Sequence, residues 1–255
     1  MHILDKIEKL GMTYKSHAAG AFPSSVLREI EKILPESYEN SLETGCGKST
    51  ILFSNLAKSH TVFCIDDRSE GSMSSIAFYE ECPITKRDRI ELVLGPTQLT
   101  LPNYKKFKPF DVVLIDGPHG YPFPDLEYYY LYPHIKIGGI LIIDDVHIAS
   151  IGRMADMIAE DEMFELVSLV ATTAIFKRTS APLFNPLGDG WSEQHYNRRR
   201  IPANDLYRKQ FRLDDGKTFP DFNDAARKAG YLSGETLLGT ARGIAALVAK
   251  FRVKK

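Results

Sequence analysis

The sequence predicts an α/β fold, namely a doubly wound, seven-stranded and mostly parallel sheet with helices on both faces. Three observations lead to this prediction. Between Ser41 and Arg178, apolar runs alternate with segments of helical periodicity. The runs 112–115 and 140–143 are continuously apolar, as expected for central parallel strands that are covered on both faces. A glycine-rich turn at 45–47 joins the first strand to a helix, an arrangement typical of nucleotide-binding α/β proteins.

The elements follow in order along the chain. A helix is predicted from Pro23 through Leu34 and ends near Pro35, where proline cannot continue it. Another begins at Pro124 and ends before Gly138, and a third covers 146–161. The predicted strands are 41–44, 61–66, 90–94, 111–116, 138–144, 164–170 and 173–178.

These elements divide the chain into three parts. Residues 1–40 are predicted to form an N-terminal helical segment, and residues 41–178 the sheet domain. Residues 179–255 are predicted to be a loop followed by a helical C-terminal extension, because proline, glycine and asparagine crowd the stretch 179–203. An apolar stripe on a helix near 234–251 must pack against the domain or against a second copy, so a homo-oligomer is a possible outcome.

Composition excludes several classes of partner. The net charge of −1 creates no global field that would recruit nucleic acid or an anionic membrane. No apolar run reaches the roughly 20 residues that span a bilayer, and the mixed-charge N-terminus is unlike a secretory signal, so cytoplasmic residence is the expectation. Cys46, Cys64 and Cys82 match neither a disulfide framework nor a zinc pattern, and we interpret them as reduced thiols.

The glycine turn is the first candidate ligand site. Gly45 and Gly47 allow the backbone to bend sharply and to approach a ligand closely. Ser49 and Thr50 place hydroxyls near the first turn of the next helix, whose free N–H groups form a binding edge. We therefore expect a nucleotide-like ligand above this turn.

Three ligand classes compete for the turn. A phosphate-binding P-loop needs a glycine where Leu42 stands, and the carboxylate of Glu43 would repel phosphates. The dinucleotide fingerprint needs a third glycine where Thr50 stands. A cationic ligand without phosphate tolerates Glu43, and S-adenosylmethionine is such a ligand.

An acidic pair follows the second predicted strand. Asp66, with Asp67 beside it, lies about 20 residues beyond the glycine turn, where a carboxylate suits the two hydroxyls of a ribose. The alternative is that both acids merely begin a solvated loop.

Three further acids end two later strands. Asp116 ends the fourth strand, and Asp144 and Asp145 end the fifth. Neighbouring strands lie about 4.8 Å apart, so these carboxylates can converge and form an all-oxygen site for magnesium, manganese or calcium. Alternatively, Asp145 caps the following helix, or the acids contact substrate alone.

The motif Glu-x-Gly-x-Gly at 43–47 resembles the first motif of class I S-adenosylmethionine-dependent methyltransferases. Ile-Asp-Gly-x-His-x-Tyr at 115–121, followed by Gly-Gly-x-Leu-Ile-Ile-Asp-Asp at 138–145, is similar to a bacterial family of metal-dependent O-methyltransferases that act on sugars and other small molecules. The resemblance covers roughly residues 20–178. It implies a last strand that runs antiparallel, a catalytic domain over 41–178 that binds S-adenosylmethionine, and a small-molecule acceptor with a hydroxyl group.

The same resemblance implies roles for individual residues. It assigns the cofactor to Glu43, Gly45, Gly47, Ser49, Thr50, Asp66, Asp67, Thr97, Gln98 and Asp116, and the metal to Asp116, Asp144 and Asp145. His119, the third residue after Asp116, takes the position of a catalytic base. Imidazole accepts a proton readily at neutral pH, although a histidine held in a Gly-Pro-His-Gly turn is the structural alternative.

Other functions remain open from sequence. A metal-independent small-molecule methyltransferase has the same motifs without the ion. A P-loop-like nucleotide-binding protein would use Lys48, Ser49 and Asp144. A third possibility is a module that binds the cofactor and catalyses nothing.

Overall fold

The computed structural model describes residues 2–10, 22–184 and Gln194. The chain divides into two units, residues 1–189 and 190–255, and the architecture below is that of the first. The predicted helix near 234–251, and with it the proposed oligomer contact, lies outside the described residues. The predicted boundary between a domain at 41–178 and an extension at 179–255 therefore stays a prediction.

One sheet of seven strands organises the first unit. Its spatial order is β3-β2-β1-β4-β5-β7-β6, in which the first five strands pair in parallel and β7 is antiparallel to both of its neighbours. The predicted fold class is confirmed, including the antiparallel last strand. The strands are β1 Tyr38–Thr44, β2 Ala57–Cys64, β3 Ile90–Leu94, β4 Phe110–Ile115, β5 Ile135–Ile143, β6 Phe164–Val170 and β7 Thr173–Arg178.

Several predicted boundaries differ from the structure. β1 begins at Tyr38, so the segment predicted as helical over 1–40 contains the start of the sheet. β2 ends at Cys64, where it makes its last pairing with β3, and Asp66 therefore lies two residues beyond the strand. β5 begins at Ile135 and not at the predicted residue 138. The pair Gly138–Gly139 therefore lies inside the strand, at an irregularity in the pairing of β5 with β4.

Helices cover both faces of the sheet and create two hydrophobic cores. One core packs the first four helices against side chains such as Val112 and Leu114 of β4. The other packs the last three against the alternate side chains Val113 and Ile115. This arrangement explains the continuously apolar strands. The helices are α1 Ile3–Lys9, α2 Ser24–Ile33, α3 Lys48–Leu56, α4 Ser75–Glu81, α5 Thr97–Asn103, α6 Phe123–Leu131 and α7 Ala149–Glu160.

The lengths of these helices also bear on membranes. Within the described part of the chain, none combines the length and the apolar character that a membrane-crossing helix requires.

Candidate active site

The glycine turn connects the carboxyl end of β1 directly to α3. Gly45 has a φ of +87°, a conformation that residues with a Cβ rarely adopt. A Cβ at Gly45 would lie only 2.4 Å from the carbonyl oxygen of Asp116. Backbone contact therefore joins the turn to the end of β4, and the predicted cofactor turn and the predicted metal aspartate belong to one site.

Two of the predicted cofactor residues, Glu43 and Thr50, lie beneath the turn and are fully buried. Thr50 Oγ1 accepts a hydrogen bond of 2.9 Å from the Gly47 N–H and donates to Glu43 Oε1. His60 Nε2 lies 3.1 Å from the same oxygen, and Ser41 Oγ lies 2.8 Å from His60 Nδ1. The structure thus directs the Glu43 carboxylate inward, where it supports the turn from below. Within the described residues, Glu43 Oε2 has no hydrogen-bond partner.

The acidic pair after β2 separates into two environments. Asp66 is exposed, and Arg68 contacts its carboxylate through the backbone N–H at 3.2 Å and through Nη1 at 3.1 Å. Asp67 accepts hydrogen bonds from Ser74 Oγ at 2.7 Å and from the Ser75 N–H at 2.6 Å, at the start of α4. Burial alone would raise the pKa of Asp67, but these hydrogen bonds hold it below its ordinary value. Asp66 is therefore the exposed acid of the pair, and its carboxylate is paired with Arg68.

The remaining predicted cofactor residues differ in exposure. Ser49, in the first turn of α3, is 4% exposed, and Thr97, at the start of α5, is 5% exposed. Gln98 follows Thr97 and is exposed. Of these three side chains, only that of Gln98 is freely open to solvent.

A cluster of potential metal-binding atoms lies beyond the ends of β4 and β5. One oxygen each from Asp116 and Asp145 and one ring nitrogen of His119 lie within 4.8 Å of one another. His119 Nε2 is 3.3 Å from Asp145 Oδ2. Asp145 has a φ of +56°, an uncommon backbone conformation that is enriched at functional sites. His119, predicted as a base, thus joins two of the predicted metal aspartates.

Asp144, the third predicted metal aspartate, is not part of this cluster. It is 7% exposed, and Thr173 Oγ1 on β7 donates a hydrogen bond to its Oδ1. Both residues follow the end of β5, and Asp145 has left-handed backbone geometry there, so the adjacent carboxylates of Asp144 and Asp145 reach different partners. The Asp-Asp motif therefore contributes one carboxylate to the cluster and one to the contact with β7.

The electrostatics of the cluster favour a cation. Burial, and then repulsion from Asp144, Glu43 and Asp145, raises the pKa of Asp116 well above its ordinary value. Burial also raises the pKa of Asp144, although the hydrogen bond from Thr173 opposes that change. A divalent ion would remove this repulsion, and carboxylate oxygens are the ligands that magnesium prefers. The residues present therefore fit a metal ion.

Two buried polar residues near the site were not predicted from the sequence. His60, on β2, is fully buried against Glu43, and Glu127, on α6, is 1% exposed. Thr44 Oγ1 donates a hydrogen bond of 2.8 Å to Glu127 Oε2. Neither residue belongs to a recognisable motif, and the surrounding sequence gives no signal that singles out either of them.

Comparison with known families now adds an independent result. Residues 42–146 match a family described as a methyltransferase domain. This segment therefore resembles a methyltransferase domain in sequence as well as in fold. The matched range contains the glycine turn, Asp66 and the complete cluster of Asp116, His119 and Asp145. The comparison with curated protein sequences finds no significant match.

Two solved structures share the fold of this methyltransferase. One is an O-methyltransferase from Bacillus cereus in complex with SAH, 18% identical, with a TM-score of 0.52 over 70% of this chain and 90% of that chain. The other, from Klebsiella pneumoniae, is described as a proposed O-methyltransferase and is 16% identical, with a TM-score of 0.51 over the same shares of the two chains. At these identities the likeness is one of fold.

Proposed function

We propose that this methyltransferase transfers the methyl group of S-adenosylmethionine to a hydroxyl oxygen of a small molecule with the help of a divalent metal ion. The observation that carries the proposal is the cluster of Asp116, His119 and Asp145 beside the glycine turn. Because Gly45 touches the backbone of Asp116, a cofactor above the turn lies next to groups that can bind and deprotonate an acceptor. The similar fold of the Bacillus cereus O-methyltransferase is consistent with this chemistry.

The cofactor would bind across the carboxyl ends of β1, β2 and β3. The turn at Gly45 and Gly47 offers backbone groups for close approach. Asp66, exposed beyond β2, would accept hydrogen bonds from the ribose hydroxyls. Thr97 and Gln98, at the start of α5, are the candidates for contact with the adenine side.

Asp116 and Asp145 would hold the metal ion through their carboxylate oxygens. A hard ion such as magnesium prefers oxygen and commonly binds through only one or two carboxylates, with water completing its shell. When bound, the ion would lower the pKa of the acceptor hydroxyl. Asp144 stays with Thr173 and supports the end of β5.

His119 would act as the base. Asp145 Oδ2, 3.3 Å from Nε2, would orient the imidazole. In the transfer, the S–CH3 bond breaks while the O–CH3 bond forms, and the hydroxyl proton passes to His119. The products are S-adenosylhomocysteine and a methyl ether.

Transfer of labelled methyl groups to a panel of hydroxylated acceptors tests the proposal. Activity should require magnesium or manganese and disappear with a chelator. Asp116→Asn and Asp145→Asn should each abolish it. Asp111→Asn is the matched control, because Asp111 lies at the opposite end of β4 and contacts Asn40 N–H and Lys136 Nζ. Full turnover in excess chelator would instead support a metal-independent methyltransferase.

The two other functions are separated by binding. Calorimetry should detect S-adenosylhomocysteine and no saturable binding of ATP. Saturable ATP binding without S-adenosylhomocysteine binding would support the P-loop-like alternative. Tight S-adenosylhomocysteine binding without transfer to any acceptor in the panel would favour a non-catalytic module.

A further inference from the structure

A buried carboxylate on α6 lies below three loops of the site. Glu127 is 1% exposed, although it carries an ionisable group. Buried carboxylates are uncommon unless they are paired, and no cation contacts this one within the described residues. The burial of Glu127 therefore needs a physical explanation, which its neighbours must supply.

The first contact joins Glu127 to the ends of β1 and β4. The Asp116 N–H donates a hydrogen bond of 3.1 Å to Thr44 Oγ1, and Thr44 Oγ1 donates one of 2.8 Å to Glu127 Oε2. The threonine hydroxyl thus accepts from one group and donates to the next. This relay links the residue before the glycine turn to the backbone of the aspartate in the metal cluster.

The second contact is steric and involves Gly117. A Cβ at this position would lie 2.1 Å from Glu127 Oε1 and 2.7 Å from Glu127 Cδ. The carboxylate therefore packs directly against the Gly117 Cα, and any larger residue at 117 would displace one of the two.

The third neighbour is Thr97, at the start of α5. Its hydroxyl is close enough to lower the pKa of Glu127, yet within the described residues neither Thr97 Oγ1 nor Glu127 Oε1 completes a hydrogen bond. Leaving such buried atoms unpaired destabilises the folded state. Each such atom in a native structure calls for a specific explanation.

We propose that Glu127 is a positioning residue of the methyltransferase site, whose carboxylate fixes the loops after β1, β3 and β4 relative to one another through Thr44, Thr97 and Gly117. Glu127 touches neither the cofactor nor the acceptor in this role. It acts through the glycine turn and through the backbone of Asp116. The inference rests on the proposed function for the binding of S-adenosylmethionine and for the role of Asp116.

Calorimetry with S-adenosylhomocysteine tests this role without any acceptor or metal. Glu127→Ala should weaken binding at least about tenfold, the effect of one lost buried hydrogen bond. Glu127→Gln keeps the side-chain length and an oxygen that can accept from Thr44, and should restore affinity to within about threefold of wild type. Glu31→Ala is the matched control. Glu31 is a half-buried residue whose side chain is 7% exposed. Its Oε1 accepts from the Ile3 N–H at 2.6 Å and lies 3.5 Å from His2 Nδ1, and its Oε2 has no hydrogen-bond partner within the described residues.

A merely structural role predicts the same behaviour for Glu127→Ala and Glu31→Ala, with lower stability and unchanged affinity. That result would overturn the proposal. Failure of the wild-type protein to bind S-adenosylhomocysteine would instead contradict the proposed function itself. The two failures are therefore distinguishable.

If Glu127→Ala does not fold, the contact with Gly117 supplies a second test. Gly117→Ala should weaken S-adenosylhomocysteine binding, because the new methyl group displaces the carboxylate. Combining it with Glu127→Asp, which withdraws the carboxylate by one methylene, should recover part of the loss. Additive effects of the two substitutions would show that the contact does not position the loops, and would refute the proposal.

Discussion

The buried carboxyl of Glu127 makes the stability of the protein depend on pH in a specific way. Burial raises its pKa from 4.5 to about 7, although the nearby hydroxyls of Thr97 and Thr44 oppose the change. Between these two pH values the native state keeps a proton that the unfolded chain has released. The free energy of unfolding therefore falls as pH rises through this range.

Each tenfold change in proton affinity corresponds to about 1.4 kcal/mol, so ionising Glu127 costs the native state roughly 3 kcal/mol. Glu127→Gln has nearly the same shape and cannot ionise. Relative to wild type, its free energy of unfolding should therefore increase by about 3 kcal/mol between about pH 4.5 and pH 8.

Urea denaturation followed by circular dichroism measures this difference at several pH values. Glu165→Gln is the control, because Glu165 lies exposed on β6 and meets water in both states. Its pH profile should match that of wild type. Parallel wild-type and Glu127→Gln profiles would refute the reasoning, because Glu127 would then ionise equally easily in both states.

Three further predictions concern the site directly. Asp66→Ala should weaken S-adenosylhomocysteine binding about 10- to 100-fold in calorimetry. Asp88 is an exposed aspartate outside the site, and Asp88→Ala should bind like wild type. Equal affinities of the two variants would remove Asp66 from the ribose site. Asp145→Asn should lose magnesium-dependent methyl transfer and measurable manganese binding, and retention of both would leave Asp145 a plain loop residue. His119→Gln should lower turnover by about 10²–10⁴-fold and abolish the decrease of turnover at acid pH. His147→Gln is the control and should keep most of its activity, because His147 Nδ1 lies 3.6 Å from Asp145 Oδ1. Loss of manganese binding in His119→Gln would make His119 a ligand instead of a base.

The fold was predictable because local pattern and global arrangement agree. Continuous apolar runs such as 140–143 are required wherever helices cover both faces of a sheet, and the structure confirms that alternate side chains enter the two cores. The hairpin strands β6 and β7 match their predicted ranges. Boundaries were less accurate where a strand contains residues that disfavour strands. Gly138 and Gly139 inside β5 are the example, because they lie at the irregularity between the pairings of Ile135 and Ile140 with β4.

The candidate site was predictable in its position and less so in its membership. The sequence by itself determined that a glycine turn and several acids follow parallel strands, and such strands bring their carboxyl ends to one edge of the sheet. Only the tertiary structure decided which side chains meet. Asp145 joins His119 and Asp116, while its neighbour Asp144 accepts a hydrogen bond from Thr173, because the chain turns beyond the end of β5 and Asp145 has a φ of +56°.

The same distinction applies below the site. Glu43 belongs to the glycine motif, yet its carboxylate points inward to Thr50 and His60. Glu127 belongs to no motif and reaches the site only because α6 packs over the end of β4. A sequence motif identifies the residues that the backbone conformation of a turn requires. The contacts that hold one turn against another depend on helices distant in sequence, and they appear only once the chain has packed.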